Sequence, residues 1–406
     1  MSNKDWFKLH SFAGFAFGIL MLLVCLTGTL AVVSHEIQYL SDQKYRALSE
    51  RQGPVPWQVL EQNLAKAYPD SQISNLNVPE QWYLAGSVSL ITTSLNAGSE
   101  FKFVYFDPAS GALTGEGQWG TVSRFLRNIH MYLSLGSTGK IVVTSLSFLL
   151  LIILVSSFYV YRQWWRKGFQ LPSGAKASSR TFWSDWHKWT GVWCWGFILL
   201  MFLTGLWYFT EHFLLKFKVD HYPKAPKLEQ AITHKALSLT ELMQAAQKAR
   251  PELDIRALNY PQSDKAPVVV TGQDDTLLVR DRANRIYLHP VTAQVLKIQK
   301  GAELKAVAYI SDMADPLHFG NFAGLGVKLL YFVFGLGFTF LVAGGLWMHW
   351  LRTKRQQPQL MRYLGWTGAV SSVLVVTALV VTSVQFSQRE VENMPLSPQL
   401  GSLAKP

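Results

Sequence analysis

The sequence predicts an α-helical polytopic membrane bundle of four core spans plus a fifth, with two α+β domains outside the membrane and a tandem internal duplication. Three observations predict it. Of the 406 residues 49% are hydrophobic and only 16% charged, with 15 Trp, a balance too apolar for an ordinary soluble protein. Residues 10 to 35, HSFAGFAFGILMLLVCLTGTLAVVSH, and residues 187 to 212, HKWTGVWCWGFILLMFLTGLWYFTEH, share an offset of 177 that lays His10 on His187, Gly14 on Gly191, Thr27-Gly28 on Thr204-Gly205 and His35 on His212. Basic residues crowd three short segments beside apolar runs: Lys4 and Lys8; Arg162, Arg166, Lys167, Lys176, Arg180 and Lys188; and Arg352, Lys354, Arg355 and Arg362. That is the positive-inside pattern, which puts the N-terminus in the cytoplasm. It also accounts for the net charge of +12 without nucleic acid as a partner.

Taken in order, residues 1–35 hold a short start and the first span, from about 11 to 33, since about 20 apolar residues cross a hydrocarbon core of about 30 Å. The run reads as a retained anchor, because it is longer than a signal peptide, lacks an A-x-A-type site before His35 and recurs internally. Residues 36–139 form the first outer domain: PWQVLEQNLAKAYPDS (56 to 71) has helical periodicity, and SVSLITTSL (87 to 95) with EFKFVYFDPASGALTGE (100 to 116) has the alternation and turn of a hairpin, Asp107 to Gly111. The second span takes 140–162, a basic loop 163–187 with a Ser/Gly-rich stretch at 173–179, and the third span 188–212.

The second outer domain, 213–326, repeats the plan. TELMQAAQKARPELD (240 to 254) matches the earlier helix, and Ile286 to Thr292 matches Val104 to Ser110 at an offset of 182, with His289 where the first turn has Asp107. The fourth span takes 327–351, a basic loop 352–363, the fifth span 364–385 and a Pro-rich tail 386–406. At an offset of 188, His318 falls on His130, Gly324 on Gly136, and Gly344-Gly345 on Ser156-Ser157. Cys25 and Cys194 are the only cysteines and lie inside spans, so they read as packing residues and a disulfide framework is absent.

On this topology the histidines fall in two layers. His35, His130, His212 and His318 lie toward the outer face, and His10, His187 and His349 toward the cytoplasm, with Tyr161 where the repeat would put a fourth. Ionisable residues at membrane depth are costly and usually functional, and imidazole is the commonest protein metal ligand. Separate helices, no accompanying carboxylates, and helix-face glycines (Gly14, Gly18, Gly28, Gly191, Gly196, Gly205, Gly344 and Gly345) suit bis-histidine haem b between helices better than zinc or copper. Two layers imply two or more haems. Their ligand pairing stays open: His35 with His130 and His212 with His318 would follow the repeat, and His35 with His212 is the alternative. One of His10, His187 and His349 is surplus. Arg124 and Arg127 outside and Lys188 and Arg352 inside are candidates for haem propionates. His221, His234 and His289 read as surface or turn residues.

These features resemble the PepSY-associated transmembrane family of bacterial inner membranes: the His-x3-Gly opening of spans one and three, the Thr-Gly pair, the histidine closing each span, the Asp-Pro-x-Ser-Gly hairpin of two PepSY-like periplasmic domains, and the histidine before spans two and four. The resemblance covers nearly the whole chain. It implies a multi-pass inner-membrane protein, haem ligands among His10, His35, His130, His187, His212, His318 and His349, and kinship with ferric-siderophore reductases. Some relatives carry a flavin and nicotinamide module, and no such module and no G-x-G-x-x-G after a strand is seen in this chain. Electrons would then come from a quinol in the bilayer or a separate reductase.

The expected function is a haem-b electron carrier reducing a periplasmic acceptor, with a ferric siderophore as the leading candidate. The alternatives are a haem-free regulator or scaffold whose outer domains bind a partner through strand edges, and a quinol-linked cytochrome serving another periplasmic enzyme. Hydrolytic signatures (G-x-S-x-G, H-E-x-x-H, a P-loop) are absent.

Overall fold

The first apolar run is not one straight rod. In the computed structural model helix α1 (Asn3–Ala16) and helix α2 (Gly18–Val32) meet at Phe17 with a bend of 65°. Phe17 leaves the helical region (φ −122°, ψ 25°) beside Gly18, a weak helix former. The Leu346 side chain packs close at Gly18, where a Cβ would stand 2.7 Å from its Cδ2 and displace it. The structure describes residues 1–94, 98–117, 119–172, 174, 176, 179–219, 221–232, 234–353 and 360–388. Lys354, Arg355, most of the Ser/Gly-rich stretch at 173–179 and nearly all of the tail 386–406 lie outside them.

The chain continues through α3 (Ser34–Ser41), α4 (Trp57–Ala67), strands β1 (Ser71–Asn77), β2 (Gly86–Ser94), β3 (Gly98–Phe106) and β4 (Leu113–Gly117), then α5 (Val122–Tyr132), α6 (Gly136–Val160), α7 (Trp164–Lys167) and α8 (Arg180–Lys216). There follow α9 (Leu239–Ala249), β5 (Asp254–Asn259), β6 (Val268–Gln273), β7 (Asn284–Leu288), β8 (Val295–Gln299), α10 (Ala306–Phe319), α11 (Gly324–Thr353) and α12 (Leu360–Gln388), the last broken at Gly365. Among the described residues four helices are long and apolar enough to cross a membrane, and the bent α1–α2 pair has the apolar length for a fifth when counted as one span, so the protein is a multi-pass membrane protein.

Two compact units result. The helical unit is 1–34, 122–219 and 317–388. Its core is apolar, with Leu20, Val24, Leu146, Leu150, Ile198, Phe202 and Leu341 buried together. Cys25 and Cys194 are buried in the same cluster as free thiols, which is packing use. α8 runs 37 residues, well past both ends of the expected span 188–212; at its start the Ser179 hydroxyl caps Phe182 N. α5, expected at the end of the first outer domain, packs instead with α2 and α6 in this unit.

The second unit, 35–121 and 221–316, corrects the expectation of two separate domains. Its strands form one eight-stranded antiparallel sheet in the order β4-β3-β2-β1-β5-β6-β7-β8. Each half supplies a helix and a four-strand meander. The halves join where β1 meets β5, pairing Asn75 with Asn259, Leu76 with Leu258 and Asn77 with Ala257. One core serves both halves: Leu60, Leu76, Val88 and Phe106 from the first pack with Leu242, Met243, Leu258 and Ile286 from the second. The Glu61 carboxylate on α4 also accepts from Leu239 N and Thr240 N, capping α9 across the join.

The two hairpin turns have different residues and the same geometry. In the first, buried Asp107 accepts from Ser110 N at 3.2 Å, and Gly111 is left-handed at φ 73°. In the second, His289 Nδ1 accepts from Val291 N at 3.2 Å, and Ala293 takes the left-handed position at φ 55°. His289 is thus the turn residue its place in the repeat suggested, with an imidazole nitrogen standing in for a carboxylate oxygen.

Candidate functional site

Two residues expected on separate ligand pairs come together at one end of the helical unit. The His130 and His318 rings, from α5 and α10, lie 6.1 Å apart between centroids with planes tilted by 42°. Their Nδ1 atoms are anchored: His130 Nδ1 lies 2.9 Å from Val24 O, and His318 Nδ1 lies 2.8 Å from Thr204 Oγ1. Gly28 makes the first anchor possible, since a Cβ there would stand 2.5 Å from His130 Cε1.

The hydrogen bonds fix the tautomers. A carbonyl only accepts, so His130 Nδ1 donates. Thr204 Oγ1 already gives its hydrogen to Leu200 O at 2.8 Å, so toward His318 it accepts and His318 Nδ1 donates. In both neutral rings the lone pair is therefore on Nε2. This is the form in which histidine binds a metal, with its other N–H held by an oxygen.

His10, His187 and His349 line one cavity of about 470 Å³ within the helical unit, inside the usual range for small-molecule and cofactor sites. Phe17, Met21, Leu150, Ile153, Phe338 and Leu341 supply apolar wall. Gly14, Gly191, Gly196 and Gly345 line it too, and a Cβ on Gly14 or Gly196 would meet nothing within 4 Å, so these glycines widen the space. His10 Nδ1 lies 2.9 Å from Ser156 Oγ, whose hydrogen goes to Ile153 O, so His10 has the same tautomer as His130 and His318. His187 Nδ1 is buried with no hydrogen-bond partner, which a buried polar atom rarely tolerates without a ligand or water.

His349 differs. Arg352 Nη2 lies 3.2 Å from its Nδ1, and its ring stacks on Phe15 at 3.8 Å. Arg352, Arg180 and Lys188 line the same cavity, and Lys188 also pairs with Asp185 at 3.0 Å.

The remaining expected ligands are elsewhere. His212 Nε2 lies 3.4 Å from Ser137 Oγ near the surface of α8, and His35 is exposed at the start of α3. The structure sets His130 beside His318, a pairing the sequence reading did not raise. Of the outer cations, Arg124 and Arg127 are exposed on α5, with Arg127 5.8 Å from the Phe319 ring. The anchors Val24, Ser156 and Thr204 escaped the sequence reading. Thr204 had a signal, the repeated Thr-Gly pair, and Ser156 sits at the repeat position of Gly344. Among the described residues no group of three or more His, Cys, Asp or Glu is placed to hold a bare metal ion.

The family model described as the PepSY-associated TM region matches residues 7–352. No curated protein matches the chain significantly.

Proposed function

The chain belongs to the PepSY-associated TM region family, and from that premise we propose that it is a haem-b electron-transfer protein of the bacterial inner membrane that reduces a periplasmic acceptor, a ferric siderophore. The observation that carries the reading is the gathering of imidazoles at two levels of one helical unit, His130 beside His318 and His10, His187 and His349 around one cavity, with Nδ1 of three of them held by oxygen acceptors.

The residues fit the group. His130 and His318 would hold one haem, and His10 and His187 a second. His10 and His187 are repeat equivalents, as His130 and His318 are, and the buried, unpartnered Nδ1 of His187 sits in a cavity that glycines widen. Arg180, Lys188 and Arg352 are the cations available to propionates at the cavity. Haem supplies reversible one-electron exchange, while the protein sets placement and potential. Along α8, His187 and Thr204 are 17 residues apart, roughly 25 Å at the helical rise, so the two levels cover most of a bilayer. The apolar walls keep water from the path.

At the periplasmic face one electron converts ferric to ferrous iron, which hard oxygen ligands hold more weakly, so the siderophore releases it. Electrons enter from a quinol or a separate reductase at the other face. The sheet unit, in this reading, is a pair of fused PepSY-like domains from a tandem duplication, lying in the periplasm.

The test is the absorbance spectrum of purified protein. A dithionite-sensitive Soret band corresponding to two haems per chain is expected, and protein that folds and purifies without one would refute the proposal.

A further inference from the structure

His349 is the cavity histidine that two ligand pairs leave over, and its hydrogen bond sets it apart. A guanidinium donates through five N–H groups and accepts through none. Arg352 therefore donates to His349 Nδ1, and the proton of the neutral ring is on Nε2. His10, His130 and His318 have the reverse arrangement. An iron ligand needs a lone pair where His349 has an N–H, so this ring is built to donate to an oxygen.

The rest of the cavity has the same bias. Tyr161, at the repeat position of His349, lines it and ends in an O–H. Trp195 lines it as well, and its buried Nε1–H has no acceptor. A buried N–H without an acceptor is destabilising, and a bound oxygen acceptor removes that cost. Among the described lining residues there is no Asp or Glu. The His349 ring lies flat on Phe15, and the Arg352 guanidinium is 6.0 Å from the Phe7 ring, so the donors are set in aromatic surroundings between membrane-spanning helices. Donors on apolar, aromatic walls without carboxylates are the complement of a flat, lipid-soluble molecule carrying oxygen acceptors.

We propose that His349, with Tyr161 and Trp195, forms the headgroup site of a membrane quinone, and that His349 is a substrate-binding donor and not an iron ligand. The site rests on the haem reading for its purpose, entry of electrons, but quinone binding is measurable without it. Haem propionates offer the same acceptor chemistry, and the experiment separates the two.

The full-length protein in detergent is titrated calorimetrically with menadione, and haem is read by absorbance per protein on the same samples. Saturable binding is expected for the natural chain. His349→Ala should bind about tenfold more weakly, the worth of one lost hydrogen bond, with haem content unchanged. His349→Gln, which keeps an N–H donor, should recover most of the affinity, and Trp195→Phe should lose a similar factor to His349→Ala. The proposal is overturned if the natural chain does not bind menadione, if His349→Ala binds it undiminished, or if His349→Ala loses haem, which would make the residue a ligand or a propionate partner. Absence of a Soret band in the natural chain would refute the haem reading while leaving the titration to decide the quinone site.

Discussion

His130 and His318 face one another at 6.1 Å, although 188 residues separate them, and each occupies in its half the place the other occupies in the second. The pair thus joins two positions that the 188-residue offset in the sequence relates. If it holds one haem, His130→Ala and His318→Ala should each lower haem absorbance per protein to that of a single remaining haem, and the double variant should lower it no further. Separate additive losses would show that the two rings serve different groups.

Gly28 gives a sharper version of the same test. An alanine methyl there would stand 2.5 Å from His130 Cε1, closer than carbon atoms approach without one moving. Gly28→Ala should therefore dislodge His130 from Val24 O and reproduce the spectrum of His130→Ala. Gly205, at the matching place in the sequence, is the control: a Cβ there meets only Ser147 Cβ at 3.4 Å, and Gly205→Ala should give the spectrum of the natural chain. Absorbance of the two variants side by side reads the difference.

The second hairpin turn predicts an interchange. Since His289 Nδ1 accepts from the turn backbone as the Asp107 carboxylate does, His289→Asp should leave the sheet unit as stable as before. His289→Ala removes the acceptor for Val291 N and Thr292 N and should cost about 1 kcal/mol. Thermal unfolding followed by the sheet's circular dichroism in the full-length protein compares the two.

Acid should loosen the sheet unit through Asp274. Burial alone would raise its pKa, but hydrogen bonds from Arg250 at 2.8 Å, Thr276 and Asn284 outweigh burial and hold it at about 2, below the ordinary 3.8. A carboxyl with a lowered folded-state pKa contributes stability that is complete above the unfolded value and lost as pH falls through the folded one. The window is therefore from about pH 4 down to about 2, and the loss is on the order of 2 kcal/mol. Asp274→Asn should be less stable than the natural chain at neutral pH, and the gap should close by pH 2 in a chemical-denaturation series. A gap that stays constant with pH would sink the assignment.

Much of this architecture was legible in the residues. Apolar runs of span length are a local property, and the repeated His-x3-Gly and Thr-Gly signals survive any rotation of the helices. Which histidines meet is not local. It depends on how far α5 and α10 carry His130 and His318 around Val24 and Thr204, and no spacing along the chain encodes that angle. The bend at Phe17 was hidden for a related reason: Gly18 resembles the other small residues of the span, and only the approach of Leu346 shows what it admits. The junction of β1 with β5 escaped because each half reads as a complete four-strand meander. Pairing between residues 75–77 and 257–259 joins segments about 180 residues apart and leaves no mark in the alternation of either strand.

That junction gives the halves a mutual dependence. Asn75 to Asn77 and Ala257 to Asn259 would each be an open strand edge in a chain divided between the repeats, with backbone groups ready to pair with any strand at hand. Fragments made singly should clump. Produced in the same cell, each offers the other the complementary border, and they should reassemble without a covalent link.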